Sequence, residues 1–110
     1  MLVMLMNPLP PTLTRTSLVQ RSKRHLWQEL GGESVILDLD AGVYYGLSGV
    51  GSRAWSLMET VVRVKTVLER LVAEYEVEPA RCEEELMAWL QEMARAGLVE
   101  VKGGANGLAR

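Results

Sequence analysis

Two helical periodicities in the C-terminal half of the chain constrain the fold most strongly. Apolar residues recur there at intervals of three and four, which places them along one face of an α-helix. The first stripe consists of Val64, Val67, Leu68, Leu71, Val72 and Tyr75. The second consists of Cys82, Leu86, Trp89, Leu90 and Met93. Pro79 suits a first helical position and Gly97 a C-terminal stop, so we predict that the second helix runs from Pro79 to Ala96.

A third helix is predicted upstream of these two. Ser48 is a residue type that caps helix N-termini. The apolar stripe that follows it consists of Val50, Ala54, Leu57, Met58 and Val61. Residues 60–62 are expected to contain the turn into the next helix, although no Gly or Pro marks it.

A β-hairpin is predicted before the helices. Val35, Leu37 and Leu39 alternate with Ile36, Asp38 and Asp40, the period of two that is typical of a half-buried strand. This alternation leads us to expect Asp38 and Asp40 to point to solvent. A turn at 40–42 and a return strand over 43–47 follow, with Tyr44 and Gly46 on one side and Val43, Tyr45 and Leu47 on the other.

Further extended segments flank the hairpin and the helices. Residues 25–30 are predicted to be a strand that ends at the Gly31-Gly32 turn. An edge strand is predicted over Thr14–Val19, and residues 98–101 are expected to form a short closing strand or wing. The fold class is therefore α+β: a small three-stranded antiparallel sheet, then three helices and a short C-terminal strand, which is the winged helix-turn-helix arrangement.

The length of 110 residues fits one domain, expected over residues 13–102. Residues 1–12, with three prolines, are predicted to be a flexible arm, and residues 103–110 a flexible tail. The apolar run at residues 1–6 is too short to span a bilayer, and no other segment approaches that length, so no membrane partner is expected. A single cysteine, Cys82, excludes an intramolecular disulfide and fits a cytoplasmic protein.

Charge is distributed unevenly along the chain. Residues 1–30 carry four Lys and Arg residues against one Glu, whereas residues 71–100 carry eight Glu against two Arg. The acidic helical part does not favour contact with a phosphate backbone but suits a basic peptide, so no nucleic-acid partner is expected.

We find no constellation of catalytic or metal-binding residues. His25 is the single histidine, and Cys82 lies on an apolar helical stripe, where it is interpreted as core packing. One His and one Cys do not make a metal site or a nucleophile–base pair. We therefore expect no enzymatic activity, no metal and no cofactor.

In order along the chain, several segments resemble the PqqD-like proteins, which are also called recognition elements of ribosomally synthesised and modified peptides (RiPPs). The matching pieces are residues 31–40, 42–47, 50–55, 67–75, 77–79 and 90–99. The resemblance covers residues 25–101, and its specificity lies in the ordered combination. Ser48 departs from the Asn or Asp that often follows the leucine in this family, but it too can cap a helix.

The resemblance implies a non-catalytic adaptor that binds the leader segment of a precursor peptide as an added strand and presents it to a maturation enzyme. Stand-alone members of this size are similar to those that partner a leader protease in lasso-peptide pathways, and others serve radical enzymes. The implied peptide-binding residues lie on the return strand of the hairpin and on one flank of the predicted helix that runs from Pro79 to Ala96. They are Val43, Tyr44, Tyr45, Gly46, Leu47, Glu83, Met87, Leu90, Gln91 and Ala94.

Physical arguments also favour a peptide-binding role for these residues, but they do not decide which flank of the helix faces the peptide. An exposed edge strand offers unpaired backbone groups to an extended peptide, and Gly46 leaves its approach open. Met87 suits an adaptable pocket and Glu83 could meet a basic leader residue. The opposite flank of the helix remains an alternative.

A DNA-binding winged helix, a small enzyme and a purely structural subunit are the competing functions.

Overall fold

The computed structural model describes residues 13–103, so the predicted arm at 1–12 and residues 104–110 of the predicted tail lie outside the described residues. The described part contains six strands and three helices. The strands are β1 Leu18–Arg21, β2 Leu26–Leu30, β3 Glu33–Asp38, β4 Val43–Ser48, β5 Val62–Arg63 and β6 Val99–Gly103. The helices are α1 Gly49–Leu57, α2 Val64–Glu74 and α3 Pro79–Arg95. The predicted α+β class is confirmed.

The strands form two antiparallel sheets, with the orders β5-β1-β6 and β2-β3-β4. The prediction of a three-stranded sheet before the helices is confirmed by β2-β3-β4. The second sheet corrects the prediction of an edge strand over Thr14–Val19. The strand instead covers Leu18–Arg21 and is central, because β5 and β6 pair with its two sides.

Two glycine-containing turns set the register of the β2-β3-β4 sheet. Gly31 and Gly32 have φ values of 58° and 85° and form the two-residue loop between β2 and β3. Positive φ at both positions is what a hairpin loop of this length requires. The second turn contains Gly42, whose N–H donates to the carbonyl of Asp38 at 2.9 Å.

The two faces of β3 are the reverse of those expected. Ser34 and Ile36 are buried, whereas Leu37 and Leu39 are 41% and 69% exposed. The prediction took the aspartates as markers of the solvent-facing side of the strand and was wrong. The strand ends at Asp38, whose side chain accepts a hydrogen bond from the N–H of Ala41. Apolar residues occupy both faces of β3, so the alternation did not identify the buried one.

Helices α2 and α3 form as predicted and supply much of the core. Val64, Val67, Leu71 and Leu90 are almost completely buried. Trp89 departs from the prediction, because it is only half-buried at the edge of the core. At the end of α3, Gly97 has a φ of 80° and the N–H of Leu98 donates to the carbonyl of Met93 at 2.9 Å, which is a glycine-dependent helix stop.

Helix α1 is shorter than the predicted stripe. It ends at Leu57, and Val50 and Val61 are 37% and 47% exposed instead of buried. After α1 the chain enters β5, whose two residues are too few to show any periodicity in the sequence. Ser48 occupies the N-cap position, but its side chain makes no capping hydrogen bond.

Two polar contacts fix α1 against its neighbours. The hydroxyls of Ser34 on β3 and Ser52 on α1 are hydrogen-bonded at 2.6 Å in the interior. On the other side of α1, the guanidinium of Arg53 donates to both carboxylate oxygens of Glu74, at 2.8 and 2.9 Å. These contacts hold α1 between the β2-β3-β4 sheet and the end of α2.

Candidate functional site

Strand β4 is an edge of its sheet. It pairs with β3 from Val43 to Ser48, and no strand of the described part of the chain pairs with its other side. The backbone N–H and C=O groups on that side are therefore available to an external strand.

Side chains on β4 alternate between the core and the opposite face, as predicted. Tyr45 and Leu47 are half-buried and pack against the core, whereas Tyr44 is 72% exposed. A Cβ added at Gly46 would meet no heavy atom within 4 Å, so the surface at this point is open. Val43 was predicted to lie on the same side as Tyr45 and Leu47, but it is 45% exposed.

A pocket of about 550 Å³ opens just beyond the end of β4. It lies between α1, the end of α2, the α2–α3 linker and one flank of α3. Its lining residues are Val50, Gly51, Ala54, Leu71, Glu76, Val77, Glu78, Arg81, Cys82, Glu85, Leu86 and Trp89. Val50 and Gly51 of this lining lie in the first turn of α1, which starts directly after β4.

The pocket has an apolar floor and a charged rim. Ala54, Leu71, Cys82 and Leu86 are buried and form the floor. Burial raises the pKa of the Cys82 thiol, and the nearby Glu85 carboxylate raises it further. The thiol therefore stays protonated at neutral pH and acts as an apolar surface, not as a nucleophile.

The predicted flank of α3 does not line this pocket. Leu90 is completely buried in the core, so it offers no surface to a ligand, and Met87 packs against the same core. Glu83 is paired with Arg15. Gln91 and Ala94 are half-buried and also lie outside the pocket lining.

The opposite flank of α3, which the sequence allowed as an alternative, lines the pocket. Arg81, Glu85 and Trp89 follow one another at intervals of four, which places them along one side of the helix. Trp89 is the sequence feature that could have indicated this flank, because it lies at the margin of the apolar stripe of α3. Val50 was missed because it had been assigned to the core.

The face of the β2-β3-β4 sheet that points away from the core, here called the outer face, is apolar and exposed. Its apolar members are Leu26, Leu30, Leu37 and Tyr44, together with the half-buried Val35 and with Gly46, and the polar residues Gln28, Glu33 and Ser48 lie on the same face. Leu26, Leu37 and Tyr44 form one row across the three strands. Exposed apolar patches of this kind mark interaction surfaces in soluble domains.

The described residues contain no group of three or more His, Cys, Asp or Glu side chains that could hold a metal ion. His25 has a local role: its Nδ1 is 2.8 Å from the hydroxyl of Ser22, and its Nε2 is 3.5 Å from a carboxylate oxygen of Asp38. Within residues 13–103, none of the helices has the length and hydropathy that crossing a bilayer would require.

Comparison with known families and structures agrees with this architecture. The family model described as coenzyme PQQ synthesis protein D (PqqD) matches residues 33–99, from the start of β3 to the first residue of β6. The chain belongs to the PqqD family. The match spans β4, the pocket-lining part of α1 and the whole of α3, so the edge and the pocket both lie within the PqqD-matching region.

A solved structure similar to this PqqD-family chain is that of TbiB1 in complex with the TbiA(beta) leader peptide. The two chains are 34% identical, with a TM-score of 0.68, and the similarity covers 74% of this chain and 94% of TbiB1. A search of curated proteins finds no match.

Proposed function

We propose that this protein binds the leader segment of a ribosomally synthesised precursor peptide by strand addition to β4 and presents it to a maturation enzyme. The observation that carries the proposal is an unpaired β4 edge followed directly in the chain by Val50 and Gly51, which line the apolar pocket. Backbone pairing along an edge supplies affinity without sequence preference, and a pocket at the end of the edge supplies specificity.

The bound segment adopts an extended conformation beside Val43–Ser48. A side chain near one end of that segment enters the pocket over Leu71, Leu86 and Trp89. A pocket of about 550 Å³ accommodates a large aliphatic or aromatic side chain. The similarity to TbiB1, which was solved with a leader peptide, supports a leader peptide as the ligand.

The proposed role is that of an adaptor without catalysis of its own, and the leader protease of a lasso-peptide pathway is the partner that we favour over a radical enzyme. We further propose a winged helix-turn-helix domain at residues 13–102, flanked by flexible segments, that acts in the cytoplasm. There the lone thiol of Cys82 stays reduced.

An adaptor needs a second surface for its enzyme while the peptide is bound. The outer face meets this need because it is continuous with β4 at Tyr44 but leaves both the edge and the pocket free. We assign the maturation enzyme to this face.

The charge pattern gives no support to the competing DNA-binding function. Of the basic cluster Arg21, Lys23 and Arg24, only Lys23 and Arg24 are exposed, whereas Arg21 is buried with its guanidinium 4.1 Å from the ring centroid of Trp27. Desolvation lowers the pKa of this guanidinium. Arg21 is thus occupied within the fold and does not contact phosphates.

The decisive experiment scans the leader of the precursor gene neighbouring this protein's own gene with single N-methyl substitutions. Strand addition uses the N–H of alternate residues, so affinity measured by fluorescence anisotropy should fall at every second position along the segment beside β4. Uniform tolerance of N-methylation would reject strand addition. A labelled DNA duplex at ~150 mM salt serves as control, because non-specific phosphate contacts weaken as salt rises.

A further inference from the structure

The rim of the pocket carries more carboxylates than the protein itself neutralises. Glu76, Glu78 and Glu85 line the rim together with one cation, Arg81. Arg81 is already engaged, since its Nε lies 3.0 Å from a carboxylate oxygen of Glu85. The rim therefore keeps a net charge of −2 around an apolar floor.

The three carboxylates differ in how they are used. Glu78 caps α3, where its side chain accepts from the N–H of Arg81 at 2.9 Å. Glu85 is paired with Arg81. Glu76 is exposed and has neither an ion pair nor a side-chain hydrogen bond with any residue of the part that the structure describes. It is the rim carboxylate most available to a ligand.

We infer that the pocket selects a leader segment in which a Lys or Arg lies next to the apolar side chain that enters the pocket. This inference rests on the proposed function, since it names the chemistry of the peptide that the same site takes. The apolar floor and the acidic rim are complementary to a segment with both features.

Physical chemistry sets the sign and the size of this preference. A Lys or Arg at the rim meets uncompensated negative charge, whereas an Asp or Glu there meets repulsion from Glu76 and Glu78. Because both carboxylates are exposed, each contact is worth little, and the preference is about two- to fivefold for one cation. The eight Glu residues of the segment 71–100 also attract a basic peptide during its approach.

The test selects binders of the full-length protein from a phage-displayed library of random peptides of about 14 residues, enough to span β4 and reach the pocket. A selected peptide and its Lys→Gln analogue are then titrated against the wild type, Glu76→Gln and Glu69→Gln. Glu69 is an exposed α2 residue outside the pocket lining and provides the matched charge control.

We expect enrichment of Lys and Arg beside a large apolar residue. Replacing that Lys by Gln should weaken binding about two- to fivefold in the wild type and in Glu69→Gln, and much less in Glu76→Gln. Selected peptides without basic enrichment, or an equal loss in all three proteins, would overturn the inference alone. Binders that lose no affinity when β4 is altered by Gly46→Val would instead overturn the proposed function.

Discussion

Arg15 and Glu83 form a two-pronged ion pair, with Nε 2.7 Å from Oε2 and Nη2 2.6 Å from Oε1. The contact joins the turn before β1 to the flank of α3 that does not line the pocket. Glu83 was predicted to meet a basic residue of the ligand, and it does meet a basic residue, but one from its own chain. We therefore expect the role of Glu83 to be structural.

Glu83→Gln should lower the thermal midpoint at neutral pH and leave peptide affinity unchanged. The hydrogen bond from Arg15, followed by the charge of its guanidinium, lowers the pKa of the Glu83 carboxyl below its ordinary value of 4.5. A depressed folded-state pKa gives stability that is present above 4.5 and is lost as falling pH protonates the carboxyl. Thermal unfolding of both proteins between neutral pH and about pH 3 should thus show midpoints that converge in acid.

Glu84→Gln is the matched control for this pH series, since Glu84 is the next residue along α3, is exposed and has no ion pair in the described part of the chain. Its midpoint should follow the wild type at each pH. A Glu83→Gln protein that keeps its midpoint but loses peptide affinity would contradict the structural role.

Leu90→Ala should lower the free energy of unfolding by about 2–5 kcal/mol, because it removes a completely buried side chain and leaves a cavity. Urea denaturation measures this change. Gln91→Ala, one residue further along α3 and only half-buried, should change it by no more than about 0.5 kcal/mol. If Leu90→Ala kept its stability and lost peptide affinity, Leu90 would line the site as the sequence suggested.

The helices could be predicted from the sequence, but the flank of α3 that lines the pocket could not. Periodicity reports which residues share a face, and it correctly brought Leu86 and Leu90 together on α3. Which flank of that stripe is covered depends on α1 and on the α2–α3 linker, whose positions are set by contacts distant in sequence. The contact between Arg53 and Glu74 is one example.

The strands show a second limit. The hairpin and the alternation of Tyr44 and Tyr45 follow from local β-propensity and turn chemistry, and both were predicted. The burial of Ile36 in place of Leu37 did not follow, because β3 is apolar on both faces. The pairing of β1 with β5 and β6 joins residues far apart in the chain and leaves no local pattern.

Trp89→Ala should weaken leader binding about 30-fold, the effect of about 2 kcal/mol that is typical of an aromatic residue at a binding hot spot. Trp27→Ala makes the same change on β2, outside the pocket lining, and should leave affinity near that of the wild type. Anisotropy titrations with the leader peptide measure both. Circular dichroism at the temperature of the titrations shows whether each variant is folded. Equal losses of leader affinity in two folded variants would exclude the pocket as the anchor site.

Leu37→Lys should leave leader affinity unchanged but slow leader cleavage by the proposed partner protease. Leu37 is exposed on the outer face, where it pairs with Tyr44, and it lies outside the pocket lining. A Lys there should disturb the proposed apolar contact with the enzyme without altering the core. Lys65, exposed on α2, offers the control substitution Lys65→Leu. Unchanged cleavage by Leu37→Lys would remove the outer face from the proposed enzyme interface.

Gly46→Val should weaken leader binding about tenfold while the protein itself stays folded. A Cβ at this position meets no heavy atom within 4 Å, and a β-branched residue favours a strand, so the thermal midpoint should be equal to or above that of the wild type. A strand added beside β4 places its own side chains next to the open surface at Gly46. The Val side chain of the variant would crowd them, at a cost to binding of about 1–2 kcal/mol. Ala73→Val adds a β-branched side chain at an exposed α2 position outside the pocket lining, and leader affinity should stay near that of the wild type. Full affinity in a stably folded Gly46→Val protein would show that the ligand does not lie along β4.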